Sequence, residues 1–187
     1  MTKLLKIRML AALLCTFVAS AALAQNPTAT GTINATLINS SGLAIAFDSA
    51  SGGVSLGASG SSAATLNFGT ISAYGTVPAG VTRTGPSGGS FTVSTPFNIK
   101  VTMGGLNNSP NYTLTAQLAA AAPTGLTYKV DAVTLTTGSQ TVQTNGTYGS
   151  DVPHTLYLQA LTASPSGGGP AVGSQLTGTI NFVATSN

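Results

Sequence analysis

Within residues 25–187 the side chains able to exchange protons or ligate a metal are few. They are His154, Asp48, Asp131, Asp151, Arg83, Lys100, Lys129 and five tyrosines, with no glutamate and no cysteine. Asp151 and His154 stand three residues apart and serine is plentiful, so a Ser-His-Asp relay is the one catalytic arrangement this inventory could furnish. The plainer reading is a surface loop, Tyr148-Gly149-Ser150-Asp151-Val152-Pro153-His154. On that reading His154 contributes little to folding or to any activity. Acid–base catalysis needs tuned pairs of titratable groups, and three scattered aspartates supply few. No catalytic residue is assigned, and the chain is read as not an enzyme.

Metal and phosphate sites fare no better. One histidine and scattered carboxylates do not make a ligand cluster, and Asp48 in DSASGG is not a calcium loop. The glycine-rich stretches GPSGG and PSGGGP lack the lysine and the helix of a phosphate cradle. No metal and no cofactor is expected. The Asn-x-Ser/Thr sequons, those at Asn34, Asn39, Asn111 and Asn145 among them, are what chance produces in a chain so rich in these residues. Lys129 beside Val130-Asp131 does not suggest an isopeptide bond, because adjacent strand residues point to opposite faces.

Residues 1–24 stand apart from the rest. Lys3, Lys6 and Arg8 precede an apolar run over 9–19, and Ala22-Leu23-Ala24 is a small-residue cleavage motif. This order predicts a secretory signal peptide with Gln25 as the mature N-terminus. The apolar run is too short to span a bilayer. Leu14 before Cys15 is too bulky for a lipidation motif. The expected destination is the cell surface or the extracellular medium of a bacterium, reached through the periplasm. Beyond residue 24, three cations face three carboxylates, for a net charge of zero. The basic pI of the whole chain is therefore no argument for nucleic acid.

Residues 25–187 are rich in Thr, Ser, Gly, Ala and Val, with Gly and Pro at short intervals and no tryptophan. No helical periodicity of useful length occurs there, and period-2 alternation recurs throughout. The pattern predicts an all-β chain, an immunoglobulin-like Greek-key β-sandwich that a donor strand could complete. Residues 25–38 form an N-terminal strand segment and 39–187 the sandwich domain. Strands are expected at 29–37, 43–47, 65–68, 91–103, 112–118, 126–130, 132–137, 140–144, 154–162 and 174–185. Residues 48–63 and 73–89 read as long connections. Pro96 should mark a bulge or a change of sheet. Phe97, Ile99, Val101, Leu114, Leu156, Leu158, Ile180 and Phe182 are the expected core.

The two ends carry the most informative repeat. Thr30-Gly31-Thr32-Ile33-Asn34 recurs as Thr177-Gly178-Thr179-Ile180-Asn181. Ala29, Gly31, Ile33, Ala35 and Leu37 occupy alternate positions, as a donor strand must to fill a groove in another sandwich. With six charged residues beyond position 24, the strands carry little of the charge that normally protects sheet edges. Such a surface suits a subunit that self-associates. The alternative is a monomer whose first and last strands pair within one sheet.

LNFGTISA at 66–73, SFTVSTPFNIKV at 90–101, TYGSDVPHTLYLQAL at 147–161 and LTGTINFVAT at 176–185 together resemble the spore coat protein U domain. That domain is shared with archaic chaperone–usher pilins, and the resemblance spans residues 64–187. It implies an exported, incomplete sandwich that polymerises when one subunit's N-terminal segment completes the next, with a periplasmic chaperone and an usher as partners. The chain departs from the family in having no cysteine beyond residue 24, where many members carry cysteines near the start. The leading expectation is a structural subunit of a pilus, fibre or coat, and the alternative is a monomeric carbohydrate-binding or adhesin module.

Overall fold

A computed structural model describes residues 32–34, 43–104, 109–162 and 175–187. Eleven strands follow one another along these residues: β1 Thr32–Asn34, β2 Leu43–Ser49, β3 Ala63–Ala64, β4 Thr82–Ser87, β5 Ser90–Met103, β6 Tyr112–Leu118, β7 Leu126–Val130, β8 Val133–Thr134, β9 Gln140–Gly146, β10 Asp151–Leu161 and β11 Thr179–Ser186. One sheet has the order β3-β1-β11-β6-β9 and the other β2-β5-β10-β7-β8, with β4 also on β5. The pairings are antiparallel except β1 with β11. The chain is all-β, in an arrangement consistent with a β-sandwich.

Alternation makes the core. Tyr112, Leu114, Ala116 and Leu118 of β6 and Ile180, Phe182 and Ala184 of β11 are buried on one side. Facing them are Leu43, Ile45 and Phe47 of β2, the odd-numbered residues Phe91–Val101 of β5, and Leu156, Leu158 and Ala160 of β10. The sheets meet at an aromatic cluster. The ring of Phe182 lies 5.3 Å from Phe47 and 6.2 Å from Phe97, both edge-on. Each such side chain removed from water contributes about 1.5–3 kcal/mol. All eight expected core residues are fully buried.

Pro96 does not bulge β5, which runs unbroken for 14 residues. What changes there is its neighbour. On one side β10 pairs with β5 from Ser90 to Lys100. On the other, β2 covers Phe97–Met103 and β4 covers Ser90–Ser94. Pro96, which has no N–H to give, sits in the gap between them. The chain that crosses this gap is packed backbone to backbone. A Cβ on Gly53 would lie 2.3 Å from the Pro96 carbonyl, and one on Gly80 would lie 2.5 Å from Gly53.

The expected connections also differ from the observed ones. Residues 73–89, a long connection by their Gly and Pro content, contain β4, which forms a hairpin with β5. A strand was expected at 65–68, whereas the ladder covers Ala63–Ala64 and Leu66 and Phe68 lie beyond it. These two residues and Leu56, Ile71, Ala73 and Val81 are nonetheless buried. The irregular stretch between β2 and β4 thus supplies core where the ladder does not.

Candidate functional site

Of the expected donor-strand residues, Ile33 lies in the described chain; Ala29, Gly31, Ala35 and Leu37 fall outside the described residues. β1 lies between two strands of its own chain. It runs parallel to β11, with Thr32 opposite Thr179 and Ile33 opposite Ile180. On its other side it is antiparallel to β3, with Ile33 opposite Ala64 and Asn34 opposite Ala63. Thr32 and Ile33 of the first pentapeptide therefore lie against their own counterparts, Thr179 and Ile180, in the second.

This contact is short. β6 covers one edge of β11 from Ile180 to Ser186. On the opposite edge β1 reaches only Thr179 and Ile180. From Asn181 to Ser186 that edge has no ladder partner among the described strands. Backbone donors and acceptors along a sheet edge are what an added strand requires.

Beneath the start of β11 lies a tyrosine. A Cβ on Gly178 would fall 2.5 Å from the Tyr128 hydroxyl, so only glycine leaves room for the ring. The Tyr128 hydroxyl is buried and makes no hydrogen bond, and burial pushes its pKa up to about 12. It faces a cavity of about 240 Å³, lined by Leu118, Ala119–Ala122 and Thr177–Thr179.

His154 is the clearest correction to the sequence reading. It lies within β10, not in a surface loop, and is 4% exposed. Its ring centroid is 6.0 Å from that of Phe97. Its partner is Asp131, which comes 23 residues earlier, rather than Asp151. His154 Nδ1 donates to Asp131 Oδ2 at 2.7 Å, and the Thr155 N–H donates to Asp131 Oδ1 at 2.8 Å. The Asp131 N–H donates to the Thr155 carbonyl in turn. Asp131 achieves this in the left-handed region, φ 53°, which aspartate tolerates better than most residues. Burial alone would push its carboxyl up. The bonds from His154 and Thr155 and the attraction of His154 outweigh this and hold it below its ordinary value.

A relay would need a hydroxyl on the far nitrogen. His154 Nε2 is enclosed and has no hydrogen-bond partner. No nucleophile elbow is expected from the sequence, yet Ser55 and Ser87 each stand in G-x-S-x-G spacing. Both are exposed and neither bonds to His154, so the spacing carries no elbow chemistry here. Asp151 instead faces Lys100 at 3.8 Å on the surface. The pair Asp131–His154 fixes the β7–β8 turn onto β10. Local sequence patterns gave no signal for it, because the two residues meet only through strand pairing.

No group of three or more potential metal ligands occurs among the described residues, and no helix among them is long and apolar enough to cross a membrane. No known family model matches the chain, and no curated protein is detectably similar to it.

Proposed function

We propose that this chain is an exported structural subunit of a surface pilus, fibre or coat, an immunoglobulin-like Greek-key sandwich that assembles by strand addition between subunits. The carrying observation is the edge of β11, covered by β1 at Thr179 and Ile180 and without a ladder partner among the described strands from Asn181 to Ser186. A longer strand laid along that edge would gain main-chain bonds that β1 does not make. Alternation of apolar residues over 29–37 suits that role, with Ile33 and Leu37 supplying most of the burial. Export through the periplasm follows from the character of residues 1–24, and a chaperone and usher from the resemblance to the coat protein U family. Near-zero net charge beyond residue 24 removes long-range repulsion between copies.

The test is assembly of protein beginning at Gln25. Electron microscopy should show filaments, and gels should show SDS-resistant ladders. Deleting residues 26–37 should abolish both, and the peptide TATGTINATLIN added in trans should raise the melting temperature of the deleted form. A protein that stays monomeric at all concentrations, and whose deletion form ignores the peptide, would overturn the proposal.

A second reading is favoured by the pairing of β1 with its own β11. In it the chain is a monomeric secreted module, of carbohydrate-binding or adhesin type, and the N-terminal strand is a fixed part of the sheet. Analytical ultracentrifugation of the same protein separates the two.

A further inference from the structure

The outer face of the β5-β10-β7 sheet carries an open groove of about 390 Å³, lined by Thr92, Lys129, Asp131, Ala132, Tyr157 and Gln159. Strand pairing assembles it. Tyr157 is opposite Lys129 on β7, and Gln159 is opposite Thr92 on β5. Two of the six charged side chains beyond residue 24 meet here, one of each sign. Lys129 forms no ion pair among the described residues. The groove is therefore neutral overall, yet rich in donors and acceptors around one aromatic ring.

We propose that this groove is a binding site for a neutral pyranose unit of a glycan. Such a ring offers C–H groups to an aromatic face and neighbouring hydroxyls that both donate and accept. Tyr157 supplies the face. Asp131 accepts from hydroxyls, and Lys129, Gln159 and Thr92 donate to them. Asp131 is also the one lining residue fixed from within the core, since His154 and the Thr155 N–H each hold one of its oxygens. Each oxygen keeps a lone pair for the groove. That anchoring gives buried His154 a purpose that packing alone does not, because it orients an acceptor on the surface before any ligand arrives. The site lies on the sheet opposite β1 and β11, so it does not depend on the strand-addition reading.

The experiment is NMR titration of the protein from Gln25 with glucose, galactose, mannose and N-acetylglucosamine separately. Concentrations should reach roughly ten times a millimolar Kd, the range for a ligand of about a dozen heavy atoms in an open groove. At least one sugar should shift the amide signals of Thr92, Lys129, Asp131 and Tyr157 together. Tyr157→Ala should weaken that binding about tenfold or more, and Lys129→Gln should weaken it less. Thr141→Ala on β9, an exposed residue of the other sheet, should leave it unchanged, and unchanged spectral dispersion reports that each variant folds. Absence of saturable shifts with all four sugars would overturn the proposal. So would shifts that lie elsewhere or survive Tyr157→Ala.

Discussion

Ile33 and Ile180, the fourth residues of two identical pentapeptides, are register partners in a parallel pair of strands. Parallel strands need a long crossover, and here nearly the whole domain lies between them. The two ends of the chain thus meet through one repeated sequence, in the one parallel pairing of an otherwise antiparallel sheet.

Ile33→Asp tests whether that pairing holds a monomer together or links subunits. Under strand addition the variant should remain folded, with its melting temperature little changed, and form no polymer by light scattering. Unfolding of an isolated monomer would show that the strand belongs to its own sheet.

Phe182→Ala and Phe97→Ala each remove a ring from the aromatic cluster between the sheets. Each should cost about 3–5 kcal/mol, a large share of a domain's stability. Urea denaturation reads this as a lower midpoint with the slope preserved.

Asp131→Ala leaves His154 Nδ1 and the Thr155 N–H without their partner, and should cost about 1–3 kcal/mol. His154→Ala opens a gap beside Phe97 and should also destabilise, contrary to the surface-loop reading of the sequence. Asp131 has a depressed folded pKa, so the unfolded chain binds its proton first as pH falls. Its contribution is therefore present above the ordinary value of 3.8 and lost as pH drops through the folded value. Urea midpoints measured on falling pH should decline less steeply in Asp131→Asn than in the parent.

Tyr128 acts at the other end of the scale. Its folded pKa of about 12 lies above the ordinary 10, so the neutral phenol is the favoured form in the fold. Its contribution is complete below pH 10 and is lost as pH rises toward 12. Phenolate absorbance should show one tyrosine titrating late, and Tyr128→Phe should remove it at little cost, since the hydroxyl has no partner to lose.

Gly178→Ala places a methyl group 2.5 Å from the Tyr128 ring and hydroxyl, and should destabilise by about 1–3 kcal/mol. Adding Tyr128→Leu should recover part of that loss. A double-mutant cycle by thermal denaturation measures the coupling, and strict additivity would place the strain elsewhere.

Much of this protein is legible without coordinates. Period-2 alternation in residues such as Phe97, Ile99 and Val101 marks both the strand and its buried face, because side chains on a strand point alternately to its two sides. Composition likewise sets the class, since Thr and Val with frequent Gly and Pro favour strands and turns over helices. What alternation cannot say is which strand lies beside which. That Asp131 rather than Asp151 holds His154 follows from β10 pairing with β7, a relation between residues 23 apart. Burial of Leu66, Phe68 and Ile71 without a regular ladder comes from packing against the rest of the domain, which no local period encodes. The parallel match of Ile33 with Ile180 is of the same kind. The repeat is visible in the sequence, but its pairing is a choice among long-range registers that only the folded chain makes.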